Sequence, residues 1–260
     1  MRSTITEERS EFRKRPLFSV VHEDENIVAV NKSSGIAVTP DRWDPSLHRL
    51  DKLVSDSLHL EKIYTVHRID RDTSGLVLFA KDSQTHKTLS AAFEGRQVAK
   101  GYIAVVRGRP PWKETECDLA LVPNGNKQHH TIVDKYRGKP SLTRFRLLGS
   151  AGNYSVLAAF PETGRTHQIR VHLAALGHAV VCDELYGNSK PVLLSAIKKG
   201  WRGDPLQERP LLSRLGLHAA ELTVPGIVKL HAPLSRDMAA LIRQMEKSSG
   251  EDYGTNYSRL

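Results

Sequence analysis

Cysteine is nearly absent from this chain. Cys117 and Cys182 are the only two among 260 residues, and they lie far apart in sequence. They make neither a disulfide framework nor a zinc knuckle, and a reducing, cytoplasmic location is the expectation that fits them. Long apolar runs are missing too: no stretch approaches the ~20 residues a membrane helix needs, so no membrane partner is expected. The opening MRSTITEERSEFRKRP has no apolar centre and lacks the form of a secretory signal. There is no glycine-rich phosphate loop, and no cluster of His, Cys, Asp and Glu at ligand spacing that would point to a metal. No internal repeat or composition break marks a linker. What is present is ordinary for a folded protein, 39% apolar and 26% charged, which excludes disorder and collagen-like structure. The charge is uneven in sign: 38 basic residues stand against 29 acidic ones, a net +9. That favours a polyanionic partner, most often nucleic acid. The plain alternative is a solubility charge of generous size.

Apolar patterning sets out the elements. Phe18–Val21 and Ile27–Val30, split by Glu23-Asp24-Glu25-Asn26, predict a hairpin. A short extended piece, Ile36–Val38, follows Lys32-Ser33-Ser34-Gly35. Leu47, Leu50, Val54 and Leu58 recur at helical steps. Leu76–Ala80 predicts a buried strand, Ser83 an N-cap for a helix to about Phe93, and Tyr102–Val106 another strand. The stretch 113–162 is strand-rich, with Leu142–Leu148 and Tyr154–Phe160 clearest. Gly164-Arg165-Thr166 opens a helix that Gly177 closes. Residues 188–212 predict a basic insertion or long connection. Leu217–Val224 and Val228–His231 form a last hairpin, and Ser235 caps a final helix to about Met245. The economical organisation is a flexible leader over 1–16, one domain over 17–246 and a polar tail over 247–260. Its fold class is α+β, a mixed, largely antiparallel sheet with flanking helices.

The basic excess is clustered. Arg96, Lys100, Arg107, Arg109 and Lys113 share one acid-free stretch. Lys127, Lys135, Arg137, Lys139, Arg144 and Arg146 face Asp134 alone, and Lys190, Lys198, Lys199 and Arg202 form a third group. Tyr102, Trp112, Tyr136 and Trp201 are interleaved. Phosphates need cations and unstacked bases need aromatic faces. For any single residue a solvated loop or a core aromatic explains as much; three clusters together favour a binding surface.

Two segments carry chemistry. In His67-Arg68-Ile69-Asp70-Arg71-Asp72-Thr73-Ser74-Gly75 an acid follows an apolar residue just before a tight turn, where it needs a cationic partner. The alternative is a surface turn capped by Asp72 or Thr73. In Gly164-Arg165-Thr166-His167-Gln168-Ile169-Arg170-Val171-His172-Leu173, two arginines and two histidines crowd a helix start, a place that favours anions. His167 and His172 are spaced poorly for chelation, and a capped helix with a basic side is the alternative.

Together, HRIDRDTSGLVLFAK (67–81) and GRTHQIRVHLAALGH (164–178) closely resemble the RluA-type family of pseudouridine synthases. Residues 25–35 resemble its opening hairpin, and Leu217-His218-Ala219-Ala220 with His231-Ala232-Pro233-Leu234 its closing strands. The resemblance spans nearly the whole chain. It implies the pseudouridine synthase catalytic fold and isomerisation of uridine in structured RNA, ribosomal or transfer, without cofactor or metal. It also implies site roles. Asp70 is the essential carboxylate, paired with Arg170, and Tyr102 is the active-site tyrosine. Arg68 fills the space of the flipped-out nucleotide, and Ile169 packs on the target base. Arg165, His67 and Thr73 complete the substrate-binding set. A carboxylate can act on the sugar as a nucleophile or stabilise a cationic sugar, and a nearby arginine favours its ionised form.

The sequence departs from the family at Ile69, where leucine is usual, and at Ala179 and Cys182, where proline and glycine are common. The S4 RNA-binding domain many relatives carry has no room before the core, so RNA contact is expected from the core itself, as a monomer. Two other readings compete. One is a non-catalytic RNA-binding or assembly protein on the same fold, distinguished by binding without conversion. The other is a metal-dependent nuclease drawing on the twelve histidines, whose first requirement is chelator sensitivity.

Overall fold

Alternating and continuous apolar runs become strands here, and they arrange themselves around one parallel junction. The computed structural model describes residues 16–40, 48–126, 128 and 130–254. In chain order the elements are β1 (Phe18–Glu23), β2 (Ile27–Lys32), α1 (Leu50–Ser57), β3 (Tyr64–Thr65), β4 (Ser74–Ala80), α2 (Ser83–Glu94) and β5 (Ala99–Arg107). Then come β6 (Glu114–Cys117), β7 (Leu121–Val122), β8 (Ile132–Val133), β9 (Thr143–Ala151), β10 (Tyr154–Pro161) and α3 (Gln168–Ala175). The last are β11 (Leu217–Val224), β12 (Val228–His231) and α4 (Arg236–Ser249).

Among the described residues, ten strands share one sheet, ordered β1-β2-β4-β11-β5-β10-β9-β6, with β12 on β11 and β3 on β4. β7 and β8 pair separately. The named strands pair antiparallel except β4 with β11, which run parallel through Ser74 and Gly75 against His218 and Ala219. The α+β, largely antiparallel architecture is the expected one. At the parallel junction the backbones nearly touch. Gly75 has φ +113, and a Cβ there would lie 2.1 Å from the Ala219 carbonyl oxygen. Only glycine fits both that conformation and that approach.

The core follows the sheet. β4 is buried at every residue, and β2 and β4 pack with α1 and α2 through Leu50, Val54 and Leu89. On the other half, α4 buries Met238, Leu241, Ile242 and Met245 at helical spacing. α3 places Ile169 and Leu173 against Phe145 and Leu157.

Several local expectations are corrected. Asp82, not Ser83, caps α2: its carboxylate accepts the amides of Gln84 and Thr85, which a serine one residue inside the helix does not reach. The short Ile36–Val38 piece pairs through a single bridge, Ala37 to Arg49. Leu47 lies outside the described residues, and α1 begins at Leu50. α4 runs past Met245 to Ser249, and Tyr253 beyond it is buried against Gly149, so the tail expected from 247 is packed at least that far. The leader, Pro16 aside, and residues 255–260 also lie outside the described residues. Residues 188–212 form a long connection, but not a loose one: Val192 bridges Leu212, and both are buried with Ile197 in the α4 core. No helix among the described residues is long and apolar enough to cross a membrane.

Candidate active site

The turn before β4 carries Asp70, and two neighbours fix it. Lys32, at the end of β2, is fully buried and donates from Nζ to the carbonyls of Arg71 (2.8 Å), Ile36 (2.9 Å) and Ser33 (3.0 Å). Burial pulls this ammonium down to about 7, against the opposing pull of Asp72 and Asp70. Thr73 closes the turn, its amide donating to the Asp70 carbonyl at 3.2 Å.

The opposite wall is the start of α3. Gln168 turns inward and knits it: Oε1 accepts the Arg165 amide (3.0 Å) and the Thr163 hydroxyl (2.7 Å), while Nε2 donates to the Leu142 carbonyl. His167 then sits in the left-handed region at φ +55, and the helix starts behind it. One turn into the helix, Arg170 is buried. Its Nε and Nη2 donate to Asp183 at 2.8 Å each, and its Nη1 donates to Asp70 Oδ2 at 3.4 Å. Asp70 and Arg170 are 100 residues apart in sequence, and the fold brings them together.

Asp183 is fully buried. Burial alone would push its carboxyl up, but Arg170 and the amides of Leu185 and Tyr186 hold it below the usual range. Burial likewise opposes the Arg170 charge, and the Asp183 hydrogen bonds and charge overcome that and raise its pKa further. Asp183 therefore keeps Arg170 charged and aimed, leaving one guanidinium nitrogen for Asp70. The Arg170 guanidinium also lies over the Tyr186 ring, 5.2 Å from its centre. The residue presenting Asp183 is Cys182, at φ +57, a conformation glycine adopts more easily.

Tyr102 on β5 is half-buried, packed between two apolar clusters, one of which holds Ile169. Burial, and then the Asp70 charge, push its phenol above the ordinary value. The structure thus gathers Asp70, Arg170, Tyr102 and Ile169. Arg68 is exposed beside Asp70. Arg165 is half-exposed, its guanidinium donating to the Pro140 carbonyl at 3.3 Å.

His67 and Thr73, also expected in the substrate-binding set, have partners inside the protein. His67 accepts the Leu78 amide on Nε2 at 2.9 Å and stacks on Phe93, centre to centre 4.7 Å. Burial, then Lys100, drive it down to about 3, so it is a neutral support for the turn. Thr73 is buried. His172, also flagged in the sequence, is wholly buried and bonded to Thr143 and the Leu119 carbonyl.

Asp183, Tyr186 and Lys32 escaped the sequence reading. Asp183 and Tyr186 sit in an acid-aromatic turn that resembles any surface turn. The available signal was the apolar Ala179–Cys182 run before it, which buries whatever follows.

A family model described as RNA pseudouridylate synthase matches residues 26–175 of this chain. The chain belongs to the RNA pseudouridylate synthase family. Members of that family are isomerases acting on RNA. The match contains Asp70, Tyr102 and Arg170 and ends before Asp183. The chain is similar to the ribosomal large subunit pseudouridine synthase C of Vibrio cholerae, 34% identical over 237 residues, 88% of this chain and 70% of that protein. It is also similar to the dual-specificity RNA pseudouridine synthase RluA of Vibrio cholerae, 36% identical over 216 residues, 80% of this chain and 78% of that protein. The human RNA pseudouridylate synthase domain containing 4 shares the fold, with TM-score 0.67 at 21% identity, covering 87% of this chain and 92% of that one.

Proposed function

We propose that this synthase converts specific uridines of ribosomal or transfer RNA to pseudouridine at the Asp70 site. The carrying observation is the convergence of two distant segments on one ion pair, Arg170 Nη1 to Asp70 Oδ2, with Asp183 holding the arginine from behind. In the reaction the N1–C1′ bond breaks, the uracil turns over, C5 joins C1′, and the C5 proton is lost as N1 gains one. Atoms balance without oxidant or group donor, so the reading needs neither cofactor nor metal. Asp70 acts on the sugar as a nucleophile or stabilises its cationic form, and Arg170 keeps it charged and oriented. Tyr102 and Ile169 form the apolar wall for the uracil, and exposed Arg68 fills the gap left by the flipped nucleotide.

RNA backbone contact comes from the basic surface. Arg107 donates to the Lys190 carbonyl, which ties the first basic cluster to the 188–212 connection. Part of the second cluster is already neutralised: Arg144 pairs with Glu116 and Glu162, and Arg137 with Asp134. Lys127 lies outside the described residues. The enzyme works as a monomer in the cytoplasm, and its buried thiols Cys117 and Cys182 suit a reducing compartment.

Site-resolved pseudouridine mapping of RNA from cells with and without this protein tests the reading. One or more pseudouridines vanish in its absence and return with the wild-type chain. Identical maps contradict it, and RNA binding without conversion supports the non-catalytic alternative.

A further inference from the structure

His167 is the titratable group beside Asp70 that the scheme above leaves without a role. Its Nδ1 lies 2.8 Å from the Tyr186 hydroxyl. That hydroxyl accepts the Thr131 amide at 2.9 Å, which leaves its own proton able to donate to Nδ1. An imidazole that accepts on Nδ1 carries its proton on Nε2. Nε2 faces Asp70 Oδ1 at 4.0 Å, while Arg170 approaches the other oxygen, Oδ2, at 3.4 Å. Both His167 and Asp70 are partly accessible, with side chains 21% and 24% exposed.

Tyr186 therefore serves both partners of Asp70. Its hydroxyl sets the imidazole and its ring lies beneath the Arg170 guanidinium. His130 meets the same ring edge-on at 5.8 Å, which walls it on the β8 side. We propose that His167 is a positioning residue for Asp70: its Nε2–H, fixed in that tautomer by Tyr186, orients Oδ1 while Arg170 orients Oδ2. The proposal rests on the reading of Asp70 as the reacting carboxylate. A closure of about 1 Å brings Nε2 within hydrogen-bond distance, a tightening common when substrate enters a site. With both oxygens oriented, one carboxylate lone pair is presented to the sugar in a single direction.

The test is single-turnover conversion of RNA extracted from cells lacking this protein, measured against enzyme concentration at a mapped uridine. It yields a plateau rate and a half-saturating concentration. His167→Asn tolerates the left-handed backbone but is too short to reach Asp70. His167→Gln places an amide nitrogen near the Nε2 position, and Tyr186→Phe removes the tautomer-setting hydroxyl. The plateau of His167→Asn falls about tenfold or more while half-saturation moves less than about threefold. His167→Gln recovers part of that loss, and Tyr186→Phe shows a smaller fall of the same kind. A His167→Asn plateau within about twofold of wild type overturns the proposal. So does equal weakness of Asn and Gln variants that tracks a lowered Tm, the mark of a structural role alone. Asp70→Asn runs alongside. If it converts RNA at the wild-type rate, the functional reading fails; if it is inactive while His167→Asn is fully active, only the His167 proposal fails.

Discussion

Two arginines in this protein grip an aspartate in nearly the same way and end in opposite circumstances. Arg170 forks onto Asp183 with two bonds of 2.8 Å, and Arg214 forks onto Asp237 with two bonds of 2.8 Å. The difference lies in the third direction. Arg170 offers Nη1 to Asp70, a second carboxylate that solvent reaches. Arg214 spends its remaining donors on neutral oxygens: Nη2 on the Ser235 hydroxyl, Nη1 on the Leu215 carbonyl at 3.1 Å and the Ser74 hydroxyl at 3.4 Å. That network then closes inside the protein. Ser74 donates to His218 Nδ1 at 2.9 Å, and His218 Nε2 donates to the Ala232 carbonyl at 3.3 Å. Ser, His, Arg and Asp side chains in one chain of contacts look like chemistry, yet Ser74 and His218 are fully buried at the β4–β11 junction. On the proposed reading, the accessible second carboxylate is what makes one of these ion pairs functional and leaves the other structural.

Removing each arginine breaks the comparison most sharply. Arg170→Met leaves Asp183 buried and unpaired, which costs about 3–5 kcal/mol of stability and abolishes conversion. Urea unfolding and a conversion assay check it together. Arg214→Met costs less, about 1–3 kcal/mol, because its partner is partly solvated, and the folded fraction turns over within about threefold of wild type. If Arg214→Met loses conversion as completely as Arg170→Met while staying folded, the closed network is not merely structural.

A smaller effect comes from His218. Burial, above all, holds it down to about 4 against an ordinary 6.5. In the unfolded chain it binds a proton below about 6.5, and in the folded one only near 4. Its contribution is therefore complete above pH 6.5 and lost as pH falls toward 4. Stability should drop over that window, and His218→Gln should show a shallower drop. Equal slopes in urea unfolding series at pH 7, 6, 5 and 4.5 contradict this account of His218.

Much of this was legible in the sequence, for physical reasons that differ by element. β4 and β10 are near-continuous apolar runs, and the Phe18–Val30 hairpin is announced by the turn in which Asp24 accepts the Asn26 and Ile27 amides. The Asp70–Arg170 contact was legible through family resemblance, because nothing in local pattern links residues 100 apart. Asp183 was not legible, since its meaning depends on burial, and an acid in a turn reads as a solvated acid. Lys32 failed the same way: a lysine beside two serines and a glycine suggests surface, whereas three carbonyls converge on it inside. The support His67 gives is not legible either: its ring nitrogen serves the Leu78 amide, a contact made only once β4 is formed.

The most direct test of the central claim is conversion of uridine to pseudouridine by the Asp70→Asn variant, on RNA from cells lacking this protein. Asparagine keeps the size and most of the hydrogen bonding of aspartate but removes the charge that Arg170 faces. The account predicts a folded variant that still binds RNA and converts it about 10³-fold more slowly or not at all. Conversion at the wild-type rate would contradict it.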